Sequence, residues 1–248
     1  AIIKAIKRSF ILIFLGIFLR SMSSSQTNFT FEDTLTQIGL GYPFLFALGF
    51  VNWKKQLAAF VIILISYYLF FYLANNTYEP IDPNYAVNGL GGHWSKFNNP
   101  ALSFDQWFLN IFPTENPFLR NGGGYVTLSF IPTLATMIAG LIAGNLLKSK
   151  NSETKNLKYF IGIGLTAILL GMILDATGIC PNVKRIWTPT WVIFSGGFCF
   201  LFLALFYWLI DIKKTKSWAK LLLVIGSNSI AAYVIAHTLN TFISASLF

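Results

Sequence analysis

The sequence LAAFVIILISYYLFFYLA occupies positions 57–74 and contains no charged side chain. A helix needs about 20 apolar residues to cross the hydrocarbon core of a bilayer, so this stretch predicts a membrane-spanning helix. Apolar stretches of similar length recur at 126–147, 159–179, 190–210 and 221–236. Two shorter ones, at 9–19 and 38–51, complete a prediction of about seven spans in an all-α, polytopic transmembrane helix bundle.

The composition points to the same class of protein. Hydrophobic residues make up 55% of the 248 residues and charged residues only 11%, whereas soluble domains are about one quarter charged. A soluble fold of this length cannot bury so much apolar surface. The lipid bilayer is therefore the first predicted partner of the chain.

The basic residues are distributed unevenly along the chain. In a seven-span topology, thirteen of the 18 Lys and Arg residues fall on the side of the N-terminus and of the segments 53–56, 148–158 and 211–220. Basic loops stay in the cytoplasm, so this side is predicted to be cytoplasmic and residues 75–125 extracytoplasmic. The opposite side is weakly acidic, and nucleic acid is not a predicted partner.

Residues 75–125 form a large polar and aromatic loop between two predicted spans. Its five prolines forbid one long helix. The segment SFDQWFLNI, at 103–111, nevertheless has apolar residues at helical spacing. We predict a short amphipathic helix, capped by Ser103, that lies on the membrane surface or over the bundle like a lid.

The same loop offers two candidate catalytic residues, His93 and Asp105. An imidazole titrates near neutral pH, and Trp94 presents an aromatic surface beside His93. His93 and Trp94 together therefore suggest proton transfer or the binding of a sugar ring. A loop histidine with structural hydrogen bonds is the alternative interpretation. We assign Trp94 to substrate binding.

A run of glycines, Gly122, Gly123 and Gly124, precedes Tyr125 and the span at 126–147. Backbone amides at such a turn can approach an anionic ligand at a helix N-terminus, although a glycine run is also a simple tight entry into a helix. Pro132 is expected to interrupt the following helix and to leave carbonyls that line a cavity.

Three further residues, Lys184, Arg185 and Trp187, precede the span at 190–210. The two cations lie on the side that the positive-inside rule leaves poor in basic residues. They are expected either to pair with Asp175 or Asp105, or to bind an anionic acceptor such as a uronate or a phosphate.

Polar residues also fall inside the span at 221–236 and directly after it. Asn228, Tyr233 and His237 are expected to face the bundle interior, where they would contact a ligand or bond to neighbouring helices. With two histidines, two cysteines and scattered carboxylates, the sequence has no metal-ligand spacing, and no metal is predicted.

Two blocks of sequence carry a family resemblance. They are FNNPALSFDQWFLNIFPTENPFLRNGGGYVTLSFIPTLATMIAGLIAG (97–144) and CPNVKRIWTPTWVIFSGGFCFLFLALFYWLID (180–211), and the likeness extends to GSNSIAAYVIAH (226–237), KRSFILIFLGIFL (7–19) and LTQIGLGYPFLFAL (35–48). Together they closely resemble bacterial relatives of heparan-α-glucosaminide N-acetyltransferase, a family of multi-span acyltransferases.

The resemblance implies a single transmembrane acyltransferase-like domain over residues 1–248, in a bacterial cytoplasmic (inner) membrane. It implies acetyl-CoA as the cytosolic acyl donor and a sugar or glycan as the extracytoplasmic acceptor. The family's catalytic histidine and its Asp-x-x-Arg-Gly-like motif lie on N-terminal helices that no segment here matches. The family also usually continues through at least one further span and a basic cytoplasmic tail, so the chain is expected to be incomplete at both ends.

Two other functions are compatible with the residues. A permease for a small saccharide would explain Pro132, Asn228 and His237, and a non-catalytic membrane subunit would explain a bundle without a catalytic site. A homodimer is left open. In the acyltransferase interpretation, residues 75–125 form a lid that shapes the acceptor site.

Overall fold

The computed structural model describes residues 1–22, 24–74 and 93–239. The regular secondary structure assigned within these ranges is entirely helical. The α-helices are α1 (Ile2–Ser21), α2 (Thr34–Leu48), α3 (Trp53–Leu73), α4 (Pro100–Phe108), α5 (Phe130–Leu147), α6 (Glu153–Ala176), α7 (Pro189–Tyr207), α8 (Lys220–Ser227) and α9 (Ser229–Thr238). The all-α prediction is confirmed for the described residues. Residues 75–92 of the predicted loop lie outside them.

Four helices in the described ranges are long and apolar enough to cross a membrane. They are Trp53–Leu73, Thr127–Leu147, Glu153–Ala176 and Pro189–Ile212, where the second and fourth include a short 3₁₀ and a π turn at one end. These helices confirm four of the predicted spans, at 57–74, 126–147, 159–179 and 190–210. The protein is a membrane protein with a helical bundle.

The predicted count of about seven spans is not confirmed. Helix α1 has 20 residues but includes Lys4, Lys7, Arg8 and Arg20, and α2 has only 15 residues. The stretch predicted as a span at 221–236 is divided at Asn228, whose backbone angles (φ −119°, ψ 35°) lie outside the helical region. Its side chain donates to the carbonyl of Val224 (3.1 Å), which competes with helical bonding.

Several helices begin at a side chain that accepts a backbone N–H. Asp33 caps α2 and accepts from the amides of Leu35 and Thr36 at 2.9 and 3.2 Å. Asn52 and Ser152 cap α3 and α6 in the same way. These polar residues fix where the apolar helices start.

The long helices pack as antiparallel pairs: α1 with α2, α3 with α5, and α6 with α7. Helix α5 also contacts α2 and α7 and so joins the pairs. One end of the bundle, here called the lysine-rich end, includes Lys54, Lys55, Lys148, Lys150, Lys155 and Lys158. The opposite end, called the α4 end, holds α4 and the segment 180–188.

Helix α4 starts earlier than predicted. Asn99 accepts from the amide of Leu102 at 2.9 Å and Pro100 occupies the first turn, so Asn99 is the cap and Ser103 lies inside the helix. A 3₁₀ turn, Leu109–Ile111, continues it. The helix is amphipathic as predicted, since Ala101 is fully buried whereas Trp107 is 65% exposed.

Pro132 does not interrupt a helix, which corrects the prediction. It lies in the first turn of α5, and the helix runs without a break to Leu147. First-turn residues need no partner for their backbone N–H within the helix, so a proline there leaves the hydrogen bonding intact.

Candidate functional site

The α4 end is closed by an aromatic core. The Trp94 ring stacks on Phe71, with ring centroids 4.3 Å apart and an interplanar angle of 3°. Tyr67 and Tyr68 also contact it, and only 2% of Trp94 is exposed. The aromatic surface predicted for a sugar ring is therefore buried inside the protein. His93 is half-buried beside Tyr72, with ring centroids 6.0 Å apart.

Asp105 connects α4 to the start of the α5 span. Its two carboxyl oxygens accept from the Thr127 amide at 2.9 and 3.2 Å, and 1% of the residue is exposed. The carboxylate thus occupies the helix N-terminus, a position that favours negative charge. Burial is the larger effect and raises the pKa of Asp105 to about 7.

A partly buried carboxyl group, Glu32, lies in the segment before α2. Burial raises the pKa of Glu32, and its Oε1 accepts from the Asn121 side-chain amide at 3.1 Å. This bond joins the segment before α2 to the glycine run. Asp105 and Glu32 are therefore both carboxyl groups that fix the architecture of the α4 end.

The glycine run forms a turn organised by Asn121. Its Oδ1 accepts from the amides of Gly123 (2.7 Å) and Tyr125 (3.5 Å), and its carbonyl accepts from the Gly124 amide (2.9 Å). Three of the amides expected to approach an anion are thus bonded to Asn121. The space beside Gly122 is open: a Cβ there would meet nothing within 4 Å.

Gly124 is required by its conformation. Its φ of +77° is one that residues with a side chain rarely adopt, and a Cβ would lie 2.5 Å from Cγ of Lys96. The glycine therefore allows Lys96 to lie directly against the turn.

Three basic residues converge next to this turn, and we call them the basic surface: Lys96, Arg120 and Arg185. Arg185 donates from Nη1 to the Gly123 carbonyl at 2.7 Å. Nζ of Lys96 and Cζ of Arg120 lie 4.3 and 4.5 Å from the centroid of the same Phe97 ring. Partial burial and the nearby guanidinium groups of Arg185 and Arg120 lower the pKa of Lys96.

The ion pairs predicted for Lys184 and Arg185 are not formed within the described ranges. Asp175 accepts from the Asn182 amide at 2.8 Å, and Asp105 is bonded to Thr127. The one ion pair between described residues joins Lys214 to Glu153, 3.7 Å apart at the lysine-rich end. Both carboxylates accept from backbone amides whose positions the fold fixes. The side chains of Lys184 and Arg185 are exposed and are not held beside either carboxylate.

Trp187 anchors the segment before α7 rather than facing the basic surface. Its indole Nε1 donates to Oγ1 of Thr136 at 3.1 Å, and its ring packs edge-on against Trp191. Its φ is 51°, a conformation that is strained for an aromatic residue. The hydroxyl of Tyr67 donates to the neighbouring Ile186 carbonyl at 3.0 Å, which helps to hold this turn.

Asn228 and His237 do not line the bundle interior, contrary to the prediction. Both are exposed. Nδ1 of His237 lies 3.1 Å from the Tyr233 carbonyl, and the two rings stack with centroids 4.2 Å apart. The reason is the break at Asn228, which divides the expected span into two short helices.

Lys96 and Arg120 are not among the binding residues predicted from the sequence. The available signal was charge: these two and Arg185 are three of the five cations on the side predicted to be poor in them. No set of three or more His, Cys, Asp or Glu residues in the described ranges could hold a metal ion. No protein-family model and no curated protein matches the sequence.

Proposed function

We propose that this protein is a membrane acyltransferase whose acceptor is a sugar or glycan with an acidic group, bound at the basic surface. The observation that supports this proposal is the convergence of Lys96, Arg120 and Arg185 beside the Asn121 turn. The proposal keeps the orientation expected from the charges: the lysine-rich end is cytoplasmic and the α4 end extracytoplasmic.

Like charges repel, so a group of cations favours an anion between them. The described residues place no carboxylate within ion-pair distance of Arg120 or Arg185. Guanidinium groups bind carboxylates and phosphates with two parallel hydrogen bonds, and Arg185 uses only one donor on the Gly123 carbonyl. A uronate or a phosphate on the acceptor fits this chemistry.

The acyl-transfer part of the proposal rests on the resemblance of the blocks at 97–144 and 180–211, which contain Arg120 and Arg185. Acetyl-CoA would approach from the lysine-rich end, where the basic side chains attract its phosphate groups. We assign no catalytic residue. Asp105 is bonded to Thr127 and almost fully buried, and His93 is half-buried against Tyr72.

The transport hypothesis has lost the features that motivated it. Helix α5 is continuous through Pro132, and Asn228 and His237 are exposed outside the bundle interior. Acyl transfer is therefore the function that we carry forward.

The proposal is tested with membrane vesicles that contain the full-length gene product and radiolabelled acetyl-CoA. Acceptors are a glucuronate-bearing oligosaccharide and its neutral glucose counterpart. We expect label on the acidic acceptor, and in R120Q and R185Q a KM for it that rises about tenfold per residue, as expected for a lost hydrogen bond to a charged group.

Arg20→Gln is the matched control, because Arg20 is an exposed arginine at the end of α1 that packs near α4, and it does not belong to the basic surface. Its KM should stay close to that of the unmodified protein. Absence of label transfer, or uptake of the saccharide without acylation, would refute the enzyme proposal. An equal loss for acidic and neutral acceptors would refute the role of the basic surface.

A further inference from the structure

A long apolar groove separates α3 from α6, with α5 and α7 forming its floor. It encloses a cavity of about 810 Å³. The walls include Leu57, Phe60 and Val61 on α3 and Ile163 and Leu170 on α6. The size is that of a site for one small molecule, for which roughly 300–1,000 Å³ is typical.

The groove covers one leaflet rather than the whole bilayer. On α3 its walls run from Trp53 to Ile65, a rise of about 18 Å at 1.5 Å per residue. Half of a hydrocarbon core of ~30 Å has a similar depth. A transmembrane helix from another protein would extend past the groove into the other leaflet, whereas the acyl chain of a lipid matches this length.

Two glycines keep the groove open. Gly162 on α6 and Gly196 on α7 line it, and a Cβ at either position would meet nothing within 4 Å. Other glycines on the same helices are closely packed: a Cβ at Gly164 would lie 2.7 Å from Leu201. Space at Gly162 and Gly196 is therefore available to a ligand without any movement of the helices.

Apart from Thr166, the polar side chains that line the groove lie at the lysine-rich end. Trp53, Lys158 and Tyr159 line it there. Nζ of Lys155 lies 5.9 Å from the Tyr159 ring, and the nearby carboxylate of Glu153 is already paired with Lys214. Aromatic residues and lysines at this depth are typical of the headgroup region, and the net positive charge favours an anionic headgroup.

We propose that this groove is a binding site for one anionic glycerophospholipid. An acyl chain would lie between α3 and α6, and the phosphate would lie beside Lys158 and Trp53. The polar end of the groove is at the lysine-rich end, opposite the α4 end that holds the basic surface, and the site does not depend on the proposed acyl transfer.

The test compares two double variants of the protein reconstituted in nanodiscs with equal parts of phosphatidylglycerol and phosphatidylcholine. G162L/G196L fills the groove. G140L/G144L adds the same side chains on α5, where a Cβ also meets nothing within 4 Å, outside the groove. Native mass spectrometry after detergent extraction counts the lipids retained by each.

We expect the groove variant to retain about tenfold less phosphatidylglycerol, with the control unchanged. The circular dichroism spectrum and the melting temperature should be unaltered in both variants, because none of the four glycines is packed against a neighbour. Equal retention in the two variants would mean that only non-specific boundary lipid is present, and would overturn the proposal. A protein dimer that dissociates only in G162L/G196L would overturn it as well.

The headgroup is tested separately with Lys158→Gln. The preference of this variant for phosphatidylglycerol over phosphatidylcholine should be about fivefold lower than that of the unmodified protein. A factor of five is the equivalent of ~1 kcal/mol for one basic residue at an anionic surface. Lys150→Gln, an exposed lysine of the same end outside the groove, is the control. An unchanged preference in K158Q would refute the assignment of the phosphate to this lysine.

Discussion

Helices α6 and α7 take part in both a closed interface and an open one. At the interface between them, a Cβ on Gly197 would lie 2.8 Å from the Gly164 carbonyl oxygen and 2.9 Å from the Ile168 nitrogen. At the groove, a Cβ on the adjacent Gly196 would meet nothing. Glycine thus allows two helix backbones to touch at the α6–α7 interface and leaves room for a ligand at the groove.

The difference follows from how helices associate in lipid. There is no hydrophobic driving force between them in the bilayer, so close van der Waals packing through small residues has to supply the attraction. The α6–α7 interface provides such packing at Gly164, Gly171 and Gly197, each with neighbours closer than 3.0 Å to an added Cβ. The groove provides none, and lipid can fill it at little cost.

The largest effect is expected from Gly197→Leu, which tests the closed interface. The new side chain would first meet three atoms of α6. One is a side-chain carbon of Ile168, and the other two belong to the helix backbone. The helices must therefore separate, and the free energy of unfolding should fall by at least the ~1–3 kcal/mol usual for overpacking. Unfolding in mixed detergent micelles, followed by circular dichroism, measures the change.

Gly196→Leu is the matched control, since it makes the same substitution one position earlier on the groove side. Its unfolding free energy should stay within about 0.5 kcal/mol of that of the unmodified protein. If both variants lose the same stability, the groove is packed in the membrane and the comparison between the two regions is wrong.

The sequence could predict the long apolar helices but not this difference between their faces. Length and lack of charge identify a span, and both hold for α3, α5, α6 and α7. The side that packs cannot be recognised, because a helix in lipid is apolar all around. Gly196 and Gly197 are neighbours in one apolar run, and only the position of α6 distinguishes them.

The α4 end shows the same limit for the candidate site. Charge counts identified Arg185 as unusual, but its neighbour Arg120 is 65 positions away in sequence and meets it only because the fold places the two segments together. Trp94 looked like an exposed aromatic because it lies in a polar loop. Its burial depends on Phe71, at the end of the preceding span.

Helix α4 and the start of the α5 span also meet closely, and there a carboxyl group, Asp105, joins them. Burial raises the pKa of Asp105 from its ordinary 3.8 to about 7. The folded state then binds more protons than the unfolded state between these values, so the free energy of unfolding should fall as the pH rises through about 7. Between pH 5 and 8 the loss from this group is on the order of 2 kcal/mol.

Asp105→Asn should remove most of this pH dependence, because the amide stays neutral and can still accept from Thr127. Thermal melting at pH 5, 6, 7 and 8 measures it. Burial raises the pKa of Glu32 also, so a smaller slope of the same sign should persist. Glu115→Gln, an exposed carboxylate in the same region, is the control. A slope in D105N as steep as in the unmodified protein would contradict the prediction.

The smallest effect is expected at a third kind of interface, where a hydrogen bond joins α2 and α5. Oγ1 of Thr133 donates to Oε1 of Gln37 at 2.9 Å, and both residues are buried. Hydrogen bonds between membrane helices contribute ~0.6 kcal/mol on average, because the separated helices find other partners. A double-mutant cycle of Gln37→Met and Thr133→Val should return about this coupling energy. A cycle of Thr133→Val with Asn145→Leu should return a value near zero, since the two residues are about 18 Å apart along α5. A Gln37–Thr133 coupling well above 2 kcal/mol would mean that polar contacts, and not close packing at glycines, hold this bundle together.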